Sequence, residues 1–295
     1  MSAESNFCRM NSEILITGAA GFLGTHLAAL LESRGFTVRR HSSADGDISN
    51  CALHMEGVGH VFHLAGKSYV PDSWQDPRVF YRTNVMGTVN VLEHCRRSKV
   101  GLTFISSYVY GQPQRLPIAE NHPVVAANPY AHTKILAEEA VRFYQQNFGL
   151  DVLIIRPFNI YGPGQRSSFL IPFIVRQVLD PLVDVIRVQN LRPKRDYLFV
   201  ADAVAMLVAS LRPGTSGVFN LGSGRSTSVE GVIDVVYEAA GIRKPVLSAD
   251  VERPGEVMDV VADISRAATE LDWRPSTSFE DGIAAVIAAE RTARG

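Results

Sequence analysis

The sequence is poor in cysteine, carries almost no net charge and contains no long hydrophobic run. Its three cysteines, Cys8, Cys51 and Cys95, show no C-x-x-C spacing, which argues against a disulfide framework and indicates a reducing compartment, the cytoplasm. A formal net charge of −1 over 295 residues gives no sign of a nucleic-acid or membrane partner. Apolar runs such as 204–211 are far shorter than a membrane span, and the first ten residues lack the apolar segment of a signal peptide. The eight histidines form no close pair at helical spacing with a carboxylate partner, so no metal site is expected.

A glycine-rich turn follows the first apolar run, Glu13–Thr17, and leads into a segment with helical periodicity that reaches Ser33. In a strand–turn–helix unit of this kind, the N–H groups at the start of the helix bind the pyrophosphate of a dinucleotide. We expect Gly18 to permit the tight turn, Gly21 to let the backbone approach the phosphates, and Gly24 to allow close packing of the helix on the strand. The alternative, a plain turn whose glycines serve packing alone, is disfavoured by the flanking strand and helix. The predicted cofactor contacts in this turn are Gly18, Gly21, Phe22, Leu23 and Gly24.

The second predicted strand, 36–41, ends where the adenosine ribose of such a cofactor would lie. A carboxylate there favours NAD by binding the ribose 2′-hydroxyl, whereas an arginine accommodates the 2′-phosphate of NADP. The chain has Arg39 and Arg40 near this end and no carboxylate until Asp45, which favours NADP(H) slightly over NAD(H). Arginines that are simply solvated at a strand end would give the same sequence. The other predicted cofactor contacts are Asp47 and Ile48 beside the adenine, and Leu64, Ala65 and Gly66 after the third strand.

A tyrosine and a lysine four residues apart, Tyr130 and Lys134, lie at the start of a predicted helix, 130–147. This spacing puts the phenol and the ammonium on one helical face. A positive charge beside a phenol lowers its pKa, so the pair is suited to proton transfer near neutral pH. The strand before it ends in two hydroxyl residues, Ser106 and Ser107, and Ser106 could polarise the oxygen that exchanges the proton. Taken alone, a tyrosine–lysine pair of this spacing is more often a surface pair, and the glycine turn is what favours a catalytic role.

Short sequences of recognisable type occur in order along the chain: the glycine turn, HLAG at 63–66, NVMGT at 84–88, SSYVYG at 106–111 and YAHTK at 130–134. With them the chain resembles the extended short-chain dehydrogenases/reductases, and more narrowly their branch of nucleotide-sugar epimerases, dehydratases and 4-ketoreductases. The resemblance extends from Ile14 to about Ile287. It implies a Rossmann-like fold with Tyr130 as the catalytic acid/base. It also implies that Lys134 binds the nicotinamide ribose and tunes Tyr130, and that Ser106 holds the substrate oxygen.

The same resemblance implies a nucleotide-diphosphate sugar as the substrate. Asn159 in the sequence RPFNIYGPGQ, Arg195 in RDY and Arg253 in RPGE occupy positions where the family binds the diphosphate. Arginine suits this role because its planar fork pairs with two phosphate oxygens at once. A surface salt bridge is the alternative for each arginine, and for Arg253 only the family match argues against it. The further candidates for the substrate pocket are Lys67, Ser107, Tyr108 and Phe169.

Two positions depart from the dehydratases of this branch, which carry Asp-Glu directly after the catalytic hydroxyl residue. This chain has Ser107 and Tyr108 there. Neither suits the elimination of water, because serine has no proton equilibrium near neutral pH and tyrosine is a poor base. Keto reduction and epimerisation remain, since both need only hydride transfer and one proton relay. We expect a 4-ketoreductase, in which NADPH reduces a 4-keto-6-deoxy sugar, and we keep an NAD-dependent 4-epimerase as the alternative.

Two other functions fit the sequence less well. A non-catalytic dinucleotide sensor on the same fold predicts a degraded catalytic set, whereas the serine, tyrosine and lysine are all present here. A reductase of non-sugar carbonyls would not need the predicted diphosphate ligands, Asn159, Arg195 and Arg253, because its substrates carry no diphosphate. The sequence therefore favours an enzyme of nucleotide sugars.

Strands and helices alternate through the first half of the chain, with predicted strands at 13–17, 37–40, 61–64, 102–106 and 153–156. This alternation predicts an α/β fold with a parallel, doubly wound sheet covered by helices on both faces. Because prolines interrupt the second half, we expect a dinucleotide-binding domain over 11–160, with a return at about 195–225, and a smaller substrate lobe over 161–295. The long predicted helices 79–97 and 130–147 correspond to a dimer interface in the resembled family, so a homodimer is expected. Packing of these helices on the sheet alone is the alternative.

Overall fold

A computed structural model describes residues 12–251 and 256–294 of the chain. The strands are β1 (Glu13–Thr17), β2 (Val38–His41), β3 (Val58–His63), β4 (Gly101–Ile105), β5 (Val152–Pro157), β6 (Asn159–Tyr161), β7 (Ile186–Val188), β8 (Lys194–Arg195), β9 (Tyr197–Phe199), β10 (Gly217–Leu221), β11 (Thr227–Ser228) and β12 (Val246–Ser248). The helices are α1 (Phe22–Ser33), α2 (Val70–Gln75), α3 (Pro77–Phe80), α4 (Gly87–Ser98), α5 (Pro129–Phe148), α6 (Leu170–Leu179), α7 (Val200–Ala209), α8 (Val229–Ala240), α9 (Ser265–Glu270) and α10 (Phe279–Arg294). No helix within these described ranges is long and apolar enough to cross a membrane.

Six of the strands form one sheet in the order β10-β5-β4-β3-β1-β2. All neighbouring strands in it run parallel. The parallel, doubly wound sheet that the sequence predicts is thereby confirmed. Since the carboxyl ends of parallel strands meet at one edge, the turns after β1, β3 and β4 converge there.

The two faces of the sheet are covered by different helices, as the alternation of apolar side chains along each strand requires. In β1, for example, Ile14 and Ile16 belong to the core under α1 and α7, whereas Leu15 belongs to the core under α4 and α5. In β4, Leu102 and Phe104 likewise face α4 and α5. This arrangement places α5 directly beneath the carboxyl end of β4.

The start of α5 is defined by two successive residues, Asn128 and Pro129. The side chain of Asn128 accepts a hydrogen bond from the N–H of Ala131, which caps the helix, and Pro129 occupies its first position. At the other end Gly149 adopts a left-handed conformation with φ of 64°, which glycine tolerates without strain. The helix therefore begins at the carboxyl edge of the sheet and places Tyr130 there.

The predicted single helix at 79–97 is divided in the structure. Between α3 and α4 lies a π-helical segment, Tyr81–Met86, in which hydrogen bonds span five residues in place of four. Asn84 in this segment is buried, with 1% of its surface exposed. Sequence periodicity did not predict the interruption, which is of a type that occurs often at functional sites.

The second half of the chain contributes to two separate cores. Helix α7 packs on the sheet beside α1, and β10 extends the sheet next to β5. Helices α6, α8 and α10 form another core with β7. Residues 200–221 therefore belong to the sheet layer, and α6, α8 and α10 pack together as a second unit.

Candidate active site

The glycine turn and the end of β3 form the first wall of the site. Gly18 has a φ of +75°, and a Cβ at this position would lie 2.7 Å from the backbone nitrogen of Ala65. A Cβ at Gly24 would lie 2.3 Å from the carbonyl oxygen of Gly18, so helix α1 packs tightly against the turn. No side chain caps α1 at Gly21. The N–H groups at the start of α1 are thus left without a side-chain cap, as an anion-binding helix terminus requires.

Arg39 and Arg40 both form ion pairs in the structure. Arg39 forms an ion pair with Glu13 at the start of β1, and its Nη1 donates to the carbonyl oxygen of His54 at 2.6 Å. Arg40 donates to both carboxylate oxygens of Glu32, at 2.8 and 2.9 Å, near the end of α1. Both carboxylates lie toward the edge of the sheet opposite the glycine turn. The two arginines whose position in the sequence favoured NADP(H) therefore form ion pairs away from the predicted ribose site.

Two carboxylates, those of Asp45 and Asp47, stabilise the turns that follow β2 by accepting hydrogen bonds within them. Asp45 accepts hydrogen bonds from the backbone N–H and the hydroxyl of Ser42, at 2.8 and 2.9 Å. Asp47 accepts in the same way from Ser49, at 3.0 and 2.8 Å, and these bonds lower the pKa of its carboxyl group. Ile48 is buried against α4. Asp47 and Ile48 thus stand on one ordered turn, where the sequence predicts contacts with the adenine.

The structure brings Lys134 and Tyr130 to the carboxyl end of β4. The Lys134 ammonium donates to the carbonyl oxygen of Ile105 at 2.5 Å and lies 4.4 Å from the centre of the Phe104 ring. Burial lowers the pKa of Lys134 to about 7, and the negative charge of Glu138 opposes this shift.

Burial also raises the pKa of Tyr130 above its ordinary value, while a contact with a serine hydroxyl acts in the opposite direction. The expectation that Lys134 lowers the pKa of Tyr130 is therefore corrected. The ammonium is itself partly desolvated and is bound to a backbone carbonyl, so burial of the phenol is the larger effect.

The serine beside Tyr130 is Ser107 and not Ser106. The Ser107 hydroxyl approaches the phenol closely enough to lower its pKa, yet it makes no hydrogen bond of normal geometry to a described protein atom. The Ser106 hydroxyl instead approaches the carboxylate of Glu138. Glu138 accepts bonds from Arg156 at 2.9 and 2.6 Å in a buried ion pair. The Ser106 hydroxyl is likewise buried without a hydrogen-bond partner of normal geometry among the described atoms, so the two serines differ in the group that each approaches.

Asn84 joins the two walls of the site, and sequence reasoning named it only as part of a motif. Its Oδ1 accepts from the backbone N–H of Lys67 at 2.8 Å, and its Nδ2 donates to the Lys67 carbonyl at 3.1 Å and to Thr133 Oγ1 at 2.9 Å. A Cβ at Gly66 would lie 3.1 Å from Asn84 Oδ1 and 4.0 Å from the Lys134 ammonium. The small residues of the HLAG turn therefore permit a close approach to Lys134. The NVMGT sequence was the signal that could have identified Asn84.

Two of the predicted substrate residues, Lys67 and Phe169, lie on segments that contact each other. The rings of Tyr69 and Phe169 meet edge to face with their centres 6.1 Å apart. Lys67 is exposed two residues before Tyr69. The loop after β3 and the residue that precedes α6 are thus in contact.

A separate group of contacts surrounds Arg195 in β8. Its Nη1 donates to the carbonyl oxygens of Lys194 and Val257, at 2.8 and 2.7 Å, and its Nη2 lies 3.7 Å from a carboxylate oxygen of Glu256. Burial raises the pKa of Tyr108 to about 12, and the nearby charge of Arg195 opposes this shift. The other oxygen of Glu256 is buried without a hydrogen-bond partner among the described atoms. Tyr108, Arg195 and Glu256 are therefore grouped together.

Asn159 and Arg253 are the remaining predicted diphosphate ligands. The backbone N–H and the side-chain amide of Asn159 donate to the carbonyl oxygen of Asp196, at 3.0 and 3.4 Å. This contact places Asn159 beside the residue that follows Arg195. Arg253 lies outside the described residues.

One family model, one relative and two solved structures are similar to this chain. The family model described as GDP-mannose 4,6 dehydratase matches residues 43–286. GDP-6-deoxy-D-mannose reductase of Pseudomonas aeruginosa is 29% identical over 94% of this chain and 97% of its own. The structure of RMD from P. aeruginosa complexed with NADPH has a TM-score of 0.87 at 28% identity, covering 96% of this chain and 100% of that one. The structure of UDP-glucose-4-epimerase from Stenotrophomonas maltophila, with bound NAD and formylated UDP-arabinopyranose, has a TM-score of 0.89 at 25% identity, covering 96% and 99%.

Proposed function

We propose that this chain, which belongs to the GDP-mannose 4,6-dehydratase family of extended short-chain dehydrogenases/reductases, is a 4-ketoreductase of nucleoside diphosphate 4-keto-6-deoxyhexoses. The relatives are NAD(P)-dependent epimerases, reductases and dehydratases of nucleotide sugars, so the chain is an enzyme with a nicotinamide dinucleotide cofactor. The choice among these reactions depends on the groups that meet at the end of β4.

The observation that carries the proposal is the meeting of the half-buried Tyr130 phenol with the Ser107 hydroxyl at the end of β4, in a chain that is 29% identical to a GDP-6-deoxy-D-mannose reductase. A phenol whose pKa is raised holds its proton at neutral pH, as a donor to a newly formed alkoxide must. The positions of the dehydratase acid and base are occupied by Ser107 and Tyr108, whose phenol has a pKa of about 12.

The reaction assigns one task to each residue. A bound NADPH supplies the hydride that reaches C4 of the keto sugar. Ser107 donates a hydrogen bond to the carbonyl oxygen and stabilises the negative charge that develops on it. Tyr130 gives its proton to that oxygen, which completes the alcohol. Lys134, whose ammonium lies at the end of β4, is suited to hold the ribose of the cofactor.

The residues at the glycine turn fit the cofactor. Gly18 and Gly24 lie where a Cβ would collide with backbone atoms, and α1 starts without a side-chain cap. NADPH is the proposed reductant because the P. aeruginosa neighbour contains it. The two arginines of β2 do not add to that preference, since Arg39 and Arg40 pair with Glu13 and Glu32.

An NAD-dependent nucleotide-sugar 4-epimerase is the second candidate. The observation that favours it is the same pair of engaged arginines, which leaves Ser42 and Asp45 as the polar groups at the end of β2. The S. maltophila neighbour contains NAD and a UDP-sugar. An epimerase must keep its cofactor bound through the catalytic cycle, whereas a reductase must exchange it.

The test begins with freshly purified protein, which is denatured so that any released nicotinamide cofactor can be identified by chromatography and mass. The protein is then assayed for NADPH-dependent reduction of a GDP-4-keto-6-deoxyhexose and for interconversion of UDP-glucose and UDP-galactose. We expect an exchangeable site and reduction of the keto sugar. Stoichiometric bound NAD with epimerisation would replace the proposal by the second candidate. Cofactor binding without either reaction would favour the non-catalytic sensor.

Tyr130→Phe is the matched control for both assays. The variant lacks the proton that the mechanism transfers but keeps the ring that contacts Phe80 with centres 6.4 Å apart. We expect turnover to be abolished and cofactor binding to be nearly unchanged. An active variant would exclude Tyr130 as the proton donor.

A further inference from the structure

His63 is a buried imidazole at the end of β3 for which the reaction has no direct use. Only 1% of its surface is exposed. Its Nδ1 lies 2.7 Å from the hydroxyl of Thr17, the last residue of β1, and its Nε2 lies 3.1 Å from the hydroxyl of Thr88 in α4. The ring therefore spans the gap between the strand that leads into the glycine turn and the helix that follows the π-helical segment.

The hydrogen bonds around the ring determine its tautomer. Thr88 Oγ1 lies 2.6 Å from the carbonyl oxygen of Asn84, and two oxygens approach this closely only when a proton lies between them. A carbonyl carries no proton, so the Thr88 hydroxyl donates to Asn84. The contact between Thr88 and His63 must then be a bond donated by Nε2–H.

The role of the other ring nitrogen, Nδ1, follows from the charge state of the ring. Burial, with a smaller contribution from the positive charge of Lys134, lowers the pKa of His63 to about 3, so the ring is neutral and has one N–H. That proton is on Nε2, and Nδ1 therefore accepts from the Thr17 hydroxyl. The Thr17 oxygen in turn lies 3.4 Å from the backbone N–H of Ala65, which can donate to it. Each hydrogen bond in this series therefore has a defined donor and acceptor.

The chain of bonds continues from Asn84 to the catalytic helix. The amide of Asn84 donates to Thr133 Oγ1 at 2.9 Å, and the Thr133 hydroxyl donates to the carbonyl oxygen of Tyr130 at 2.8 Å. The same amide holds the backbone of Lys67. A displacement of Thr88 would therefore reach both the HLAG turn and the first turn of α5.

We propose that His63 is a positioning residue of the active site, which as the neutral Nε2–H tautomer fixes Thr88 and, through Asn84, the backbone that carries Tyr130. The inference rests on the proposed role of Tyr130 as the proton donor. His63 acts through its neighbours, because its two ring nitrogens are both bonded to threonine hydroxyls. Its effect is on the placement of Tyr130 and not on the proton that is transferred.

The kinetic test compares two variants of Thr88 in the full-length protein. Thr88→Val removes both the acceptor for His63 and the donor to Asn84, whereas Thr88→Ser keeps the hydroxyl. We expect Thr88→Val to lower kcat by about tenfold or more, the scale of a catalytic group displaced by a fraction of an ångström, with little change in KM or cofactor affinity. Thr88→Ser should restore most of the rate. Equal losses in both variants, or no loss in Thr88→Val, would overturn the proposal.

Two spectroscopic measurements decide the proposal without any turnover. In protein labelled with 15N-histidine, His63 should show a protonated Nε2 and an unprotonated Nδ1, and the opposite tautomer would overturn the assignment. In protein labelled with 13C-tyrosine, the signal of the Tyr130 phenol carbon should shift in Thr88→Val and stay in place in Thr88→Ser. An unmoved signal in Thr88→Val would exclude positioning through Asn84. If no sugar nucleotide is turned over, the proposed function fails, and these two spectra still test His63.

Discussion

Replacing the two neighbouring serines one at a time tests the assignment of the catalytic hydroxyl. Ser107→Ala removes the group beside Tyr130, and Ser106→Ala removes an equally buried hydroxyl one residue away. Both substitutions delete a single oxygen from a buried position, so they are matched in volume and polarity. They differ in what that oxygen contacts.

The expected magnitudes follow from those contacts. The loss of one donor to a developing oxyanion costs about 10²–10³ in kcat, so we expect Ser107→Ala to be slower by about that factor. Ser106 approaches Glu138, whose carboxylate already accepts from Arg156 at 2.9 and 2.6 Å and from Arg142 at 2.6 Å. The carboxylate stays satisfied without the hydroxyl. Because the Ser106 hydroxyl makes no hydrogen bond of normal geometry, Ser106→Ala should change the free energy of unfolding by less than about 1 kcal/mol and leave most of the turnover intact.

The assay follows NADPH oxidation under saturating keto sugar, together with urea unfolding and cofactor binding for each variant. Ser107→Thr retains a hydroxyl and should keep much more activity than Ser107→Ala. A greater loss of kcat in Ser106→Ala than in Ser107→Ala would refute the assignment and return the role to Ser106. Equal losses would show that neither hydroxyl acts alone on the substrate oxygen.

Three further predictions concern the charge, the substrate and the assembly. Lys134 has a folded-state pKa of about 7 against an ordinary value of 10.5, so the unfolded chain binds the extra proton between these values and stability rises with pH there. Urea unfolding of the wild type relative to Lys134→Met should show this rise at up to about 1.4 kcal/mol per pH unit, and a flat difference would contradict the pKa. Arg195→Ala should weaken sugar-nucleotide binding far more than cofactor binding in calorimetry, and equal losses would argue against a diphosphate contact. The chain should sediment as a homodimer through α4 and α5, where Phe143 is 54% exposed. Phe143→Asp should yield monomers and Phe173→Asp on α6 should not; a dimer that survives Phe143→Asp would exclude this face.

The sheet could be predicted from the sequence because apolar alternation and glycine turns are local signals. The predicted strand boundaries were less accurate where a strand contains polar side chains. Strand β3 begins at Val58, three residues before the predicted start at 61, and includes His60. The His60 ring bonds to Thr103 Oγ1 at 2.9 Å on the neighbouring strand, which satisfies a ring nitrogen at this half-buried position. Such a partner is 43 residues away in the chain and leaves no local signal.

The arginines of β2 show a second limit of sequence reasoning. Proximity to a strand end suggested that Arg39 and Arg40 face the ribose site. Their long side chains instead reach Glu13 and Glu32, which precede them in the chain and meet them only through the parallel pairing of β1 with β2 and the return of α1. The partner of a flexible side chain is decided by tertiary contacts, so the cofactor preference could not be predicted from these residues.

The choice between the serines, in contrast, could have been predicted from the period of β4. Leu102 and Phe104 face α5, and a side chain two residues further along an extended strand points to the same side. Ser106 continues that alternation, because its backbone N–H still donates to Ile155 on β5 at 2.8 Å, and it therefore lies under α5 beside Glu138.

Glu138 is two helical turns, about 12 Å along the axis, from Tyr130. A hydroxyl that contacts this carboxylate lies within the protein layer between sheet and helix, whereas the phenol stands at the edge of the sheet. The residue that leaves the strand, Ser107, is the one that reaches this edge. Pleat register is thus the physical reason why the structure places the second serine of the pair, and not the first, beside the phenol.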